Sequence, residues 1–146
     1  MIEKIRTLCV KYKEQLLYLI FGGLTTLVDA GITFALYHFW IDATQAPVAM
    51  VHLADVIPWV VAVLFAFVTN RLFVFESKKK GFLPIMGELV SFAGGRVLTL
   101  LLQELIIFVF VTRLAYNKYL FRILAMVLVM VLNYVISKLV VFRKKS

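Results

Sequence analysis

Charge is scarce in this chain of 146 residues: 16% are Asp, Glu, Lys or Arg, and only 8 are acidic. A soluble domain of this size carries about 25% charged and about 45–50% apolar residues. Here 63% are hydrophobic, and the mean hydropathy is +0.97. So short a chain cannot hide that excess in a core, because much of its area stays exposed. A soluble single domain is excluded, and so is disorder. Cysteine is almost missing, and the lone Cys9 excludes a disulfide scaffold. Histidine is limited to His38 and His52, which have no partner at metal-ligand spacing. No Ser-His-Asp order, phosphate-binding glycine loop or cysteine pair is present. Asp29, Asp55 and Glu104 fall in three different apolar stretches, which gives no geometry for acid–base work. No catalytic residue, metal or cofactor is expected, and no enzyme activity. The solvent for most of this chain is lipid.

What the chain does have is long apolar runs. A membrane-spanning helix needs about 20 mostly apolar residues in a row. Four stretches qualify: 16–40, 52–75, 82–111 and 119–142. The runs are continuous rather than alternating, which excludes barrel strands. The expected fold is an all-α membrane protein with one four-helix transmembrane domain over 1–146. The first run is too long for a signal peptide and lacks a small-x-small cleavage site, so it reads as a retained helix.

The net charge of +8 is placed at the edges of these runs. One side collects Lys4, Arg6, Lys11, Lys13, Arg71, Lys78, Lys79, Lys80, Lys138, Arg143, Lys144 and Lys145. The other holds Arg113, Lys118 and Arg122. The positive-inside rule then puts both termini and the Lys78–Lys80 loop in the cytoplasm. The Ile41–Val51 loop and the Thr112–Lys118 turn face out, and both are too short for an outer catalytic domain. No basic stripe with a recognition motif is present, so nucleic acid is not an expected partner.

Two helix ends resemble each other. Asn70-Arg71-Leu72-Phe73-Val74-Phe75 closes the second span, and Ser137-Lys138-Leu139-Val140-Val141-Phe142 closes the fourth. A weaker echo links Phe21-Gly22-Gly23 with Phe92-Ala93-Gly94-Gly95. The pattern predicts two copies of a helical hairpin, related as a parallel repeat. The glycine pairs are expected where spans one and three touch neighbouring helices, since small residues let backbones approach in lipid.

Polar residues inside the spans carry most of the functional information, because a charge at mid-bilayer costs about 2.5–3.5 kcal/mol on insertion scales. At about 1.5 Å of rise per residue, Asn70, Arg96, Asn133 and Lys138 lie roughly 6–13 Å in from the cytoplasmic ends of three spans. Arg71 is beside them. None is acidic, and amides with basic groups suit an anion such as a phosphate. Arg71 and Lys138 also fit residues that snorkel to the interface, and the two asparagines also fit plain interhelical hydrogen bonding. Higher up are Glu104, Arg122 and Asp29. Arg122 with Glu104 or Asp29 reads either as a buried ion pair or as an outer gate. Gln103 is two turns above Arg96 on the face that holds Phe92 and Thr99, a face expected to line a path.

At this point the chain resembles the GtrA-like family of small four-span membrane proteins. The resemblance is carried by Tyr18 to Asp29, by Phe67 to Phe75, by Phe92 with Arg96, and by Asn133 to Phe142. Within that family it is most similar to the GtcA-type proteins linked to wall teichoic acid glycosylation. The resemblance implies movement of undecaprenyl-phosphate-linked sugars across the bacterial cytoplasmic membrane, between an inner transferase that loads the sugar and an outer one that uses it. It also implies that Asn70, Arg71, Phe75, Phe92, Arg96 and Asn133 are recurrent positions, with Arg122 and Lys138 matching as basic ones. Two other readings stay open: a scaffold for the transferases that moves nothing, and a small cation exporter. The exporters centre on an embedded Glu in span one, where this chain has only Asp29. Four helices are few for a phosphosugar path, so a homo-oligomer is expected.

Overall fold

A computed structural model describes residues 7, 10–40, 47–115 and 117–143. All regular structure among them is helical. Helix α1 is Lys13–Phe39 and α2 is Val48–Thr69, which continues as a π-helical turn at Asn70–Val74. Helix α3 is Phe82–Ile106, continued by a π-helical segment at Ile107–Arg113. Helix α4 is Lys118–Ile136, continued by a π-helical turn at Ser137–Val141. Four helices are long and apolar enough to cross a membrane: Lys13–Phe39, Ala49–Val74, Phe82–Arg113 and Lys118–Val141. The chain is a multi-pass membrane protein of four spans.

One loop is shorter than expected. Val48–Val51 belongs to α2 rather than to the outer loop. Pro47 explains the early start: it stands just before the first turn, where a missing N–H is not needed. The outer-loop residue Gln45, the basic residues Lys4, Arg6, Lys144 and Lys145, and Cys9 lie outside the described residues. Elsewhere the ends have local causes. Asn117 Oδ1 accepts from the backbone N–H groups of Tyr119 and Leu120, which caps α4. Gly81, just before α3, has φ +97°, a conformation that side chains rarely adopt.

The chain forms two compact units, Met1–Glu76 and Ser77–Ser146. Each is an antiparallel hairpin of two spans. In the first, Phe21 stacks on Phe73 at 5.4 Å, Tyr18 meets Phe75 at 6.4 Å, and Tyr37 donates to Asp55 near the other end. In the second, Phe92 meets Phe142 at 6.0 Å, and Phe110 stacks on Phe121 at 4.8 Å at the far end.

The two units close their ends in the same manner. Phe75 N–H bonds to Asn70 O at 2.9 Å, and Phe142 N–H bonds to Ser137 O at 2.8 Å, both across five residues. Both phenylalanines are buried, as are Val74 and Val141. A π turn shifts the backbone by one residue relative to an α turn. The last Phe of each motif lies back on its hairpin, against Tyr18 in one unit and Phe92 in the other. Most large apolar side chains elsewhere on the spans are exposed, as a lipid solvent allows.

Candidate functional site

The second unit gathers most of the expected site. Arg96, half-buried on α3, holds its guanidinium carbon 5.2 Å from the Phe92 ring centroid. Phe92 is itself buried against Phe142, so the ring under Arg96 is fixed from below. Such cation–π contact stabilises by about 0.5–2 kcal/mol or more, the upper end when desolvated. It does not neutralise the charge. Among the described residues no carboxylate is within ion-pair distance of Arg96.

One turn further, the Thr99 hydroxyl is 2.8 Å from Asn133 Oδ1 on α4 and donates to it. Both residues are buried. The same hydroxyl oxygen is 3.1 Å from the carbonyls of Gly95 and Arg96. Asn133 is thus held at the level of Arg96 by a side-chain bond between the two helices. Phe92 and Thr99 are packed inside the hairpin, and further along α3 Gln103 is half-buried and Glu104 exposed. Lys138 is exposed and folds back on its own helix, its Nζ 3.1 Å from Tyr134 Oη.

The first unit holds the rest. Asn70 is 1% exposed, and its Nδ2 donates to Ala66 O at 2.7 Å. Arg71 is half-buried at the first π turn, and Phe75 is buried against Tyr18. Asp29 is half-buried near the middle of α1.

Two packing expectations are corrected. A Cβ added to Gly22, Gly23 or Gly94 would meet nothing within 4 Å. Only Gly95 of the two pairs is a close-approach point, where an added Cβ would be 2.9 Å from Ile136 Cγ2. Tyr18 meets the closing Phe75 in one unit, and Phe92 meets the closing Phe142 in the other. The second correction concerns Glu104 and Arg122. Both are exposed and no ion pair joins them. The Phe110–Phe121 stack puts Arg122 opposite the stretch around Val109, about 8 Å along the helix axis from Glu104.

Glu88 was not among the expected polar residues, yet it is 2% exposed. Its Oε1 accepts from Ser77 Oγ at 2.7 Å, and Lys79 Nζ is 3.5 Å away. The buried carboxylate ties the basic Ser77–Lys80 loop down onto α3. An acid four residues before Phe92, after a lysine run, was the available signal. It is easily read as a headgroup-level charge instead.

Comparison with known proteins decides the family. Residues 17–142 match the family described as GtrA/DPMS, transmembrane domain. The chain belongs to this family. It is 37% identical over 131 residues to "Cell wall teichoic acid glycosylation protein GtcA" of Listeria monocytogenes serovar 1/2a, covering 90% of this chain and 86% of that one. The protein of the same name from Listeria innocua is 35% identical over the same shares of the two chains. "Uncharacterized membrane protein YwcD" of Bacillus subtilis is 33% identical, covering 88% of this chain and 95% of its own. The GtrA/DPMS match spans both hairpins, so the Arg96 site and the Asn70 turn fall inside the family's shared domain.

Proposed function

We propose that the protein flips an undecaprenyl-phosphate-linked sugar across the cytoplasmic membrane for cell-wall glycosylation. The observation that carries this reading is Arg96. It is a cation within a span, seated on a buried aromatic ring and without a carboxylate partner among the described residues. An unpaired charge there is costly. A phosphodiester headgroup supplies the missing negative charge and accepts the guanidinium's N–H groups. The names of the Listeria relatives support the pathway, wall teichoic acid glycosylation.

The mechanism follows from the chemistry of the headgroup. A lipid-linked sugar keeps its polyprenyl tail in the bilayer while its phosphate and sugar cross. The protein breaks no bond and is not an enzyme. Arg96 offsets the phosphate charge below headgroup level, with Lys138 and the Lys78–Lys80 run of the same unit as the cationic approach. Both termini and that run are on the cytoplasmic side, where a transferase loads the lipid. A second transferase takes the sugar outside.

The test is reconstitution. Purified protein in liposomes is given a labelled undecaprenyl-phosphate sugar, and its sidedness is followed over time. Wild type moves label to the far leaflet, and Arg96→Ala does not. A folded, inserted wild type that moves nothing contradicts the reading and leaves a scaffold for the transferases.

A further inference from the structure

Glu88 has no part in the phosphate chemistry at Arg96, and its charge has the wrong sign for an anion path. The second unit contains two acids, Glu88 and Glu104, and Glu88 is the one at the end that carries the lysine run. The same end of that unit also carries Lys78, Lys79, Lys80, Lys138 and Arg143. The Glu88 side chain is 1% exposed, while that of Lys79, with Nζ 3.5 Å from Glu88 Oε1, is 43% exposed. Ser77 Oγ donates to the same oxygen at 2.7 Å. A buried carboxylate is costly unless it is paired and hydrogen-bonded. A hydroxyl and an ammonium are also the groups that a phosphate oxygen would take. Glu88 thus makes from inside the protein the contact with Lys79 that a phosphate would make from outside.

We propose that Lys79 is the first station for the phosphate of the transported lipid and that Glu88 is the built-in competitor for it. In the resting chain Glu88 holds the ammonium. A phosphodiester at headgroup level takes it over as the long lysine stem swings outward, and Glu88 keeps the Ser77 hydroxyl meanwhile. No cavity is needed, because the ammonium comes out to the phosphate and the phosphate does not go in to Glu88. The exchange limits itself. Each time Lys79 leaves, a buried carboxylate loses its cation, and that cost draws Lys79 back and releases the phosphate. The next cation on α3 is Arg96, whose guanidinium leans back over Phe92, one helical turn beyond Glu88. The phosphate occupies the two stations in turn, not together. The inference rests on the transport reading and deepens it by naming the step before Arg96.

Binding by the purified full chain in detergent isolates the first station when Arg96→Gln removes the second. The probe is a polyprenyl hexosyl phosphate, a singly charged phosphodiester. In that background Glu88→Gln, which keeps an oxygen for Ser77, should tighten binding roughly threefold to tenfold, the worth of a partly exposed ion pair. Adding Lys79→Gln should abolish the gain. No gain overturns the inference, and so does a gain that survives Lys79→Gln. If Glu88→Gln does not fold, single lysine variants test the same step. Lys79→Gln should then weaken binding by roughly threefold more than Lys78→Gln or Lys80→Gln, and equal losses overturn the inference.

Transport tells the carried lipid from an ordinary anionic phospholipid resting on Lys79. In liposomes with Arg96 intact, Glu88→Gln should slow transport of the labelled lipid at saturation by roughly threefold or more, because a tighter first station releases later. A binding gain with unchanged transport assigns Lys79 to bulk lipid, which overturns the inference and leaves the transport reading standing. A wild type that moves nothing brings down both.

Discussion

Thr99 Oγ1 is 2.8 Å from Asn133 Oδ1, in a buried contact that joins α3 to α4 next to Arg96. In lipid such bonds hold helices together where the hydrophobic effect does not distinguish one apolar surface from another. Thr99→Val leaves the Asn133 oxygen unmatched. The expected loss of stability is roughly 0.5–2 kcal/mol, the range found for side-chain bonds between membrane helices. Unfolding in detergent measures it. The double variant Thr99→Val with Asn133→Leu should recover part of that loss, since it leaves no orphan. An additive double variant would mean that the two residues act independently.

The glycine pairs should separate under substitution. At Gly95, a Cβ would be 2.9 Å from Ile136 Cγ2. Gly95→Ala is expected to destabilise by about 1–3 kcal/mol through overpacking. Gly22→Ala and Gly94→Ala meet open space. They should be neutral, or stabilise by up to about 1 kcal/mol through helix propensity. Thermal unfolding of the purified variants checks both. Equal effects at Gly95 and Gly22 would contradict the packing described for the second hairpin.

That contrast shows what the sequence made legible and what it did not. The four spans were readable within a few residues because lipid imposes one rule on every position: long, continuous and apolar. The glycines carried no such rule. Gly22-Gly23 and Gly94-Gly95 look alike as letters, but only Gly95 faces a β-branched side chain on the next helix. The π turns were equally hidden. A one-residue shift in backbone bonding leaves no trace in composition, yet Phe75 and Phe142 are buried at the ends of such turns. At the site, Arg96 stood out because a charge in a span is expensive. Glu88 did not, because an acid beside a lysine run reads as surface.

Glu88 gives a third prediction. Its carboxylate is buried and held by Ser77, with Lys79 alongside. Bonds to a charged group contribute about 1.5–3 kcal/mol. Glu88→Ala should therefore raise the open population of the Ser77–Lys80 loop roughly tenfold or more. Trypsin added to the cytoplasmic face of inverted vesicles reads this out as faster cleavage after Lys78, Lys79 or Lys80. Unchanged cleavage would mean that the loop is held by something other than Glu88.

Orientation is open to a direct test. With Cys9 replaced by Ser, a cysteine at Gln45 should react with an impermeant maleimide added to intact cells. One at Lys80 should react only after the membrane is opened. The reverse pattern would invert the proposed direction of transport.

The most direct measurement is the movement of a labelled undecaprenyl-phosphate sugar across liposomes that hold Arg96 variants. Wild type should transport, Arg96→Ala should lose at least about tenfold in rate, and Arg96→Lys should retain part of it. A tenfold loss corresponds to about 1.4 kcal/mol of charge pairing. Transport by Arg96→Ala at the wild-type rate would contradict a phosphate site at Arg96.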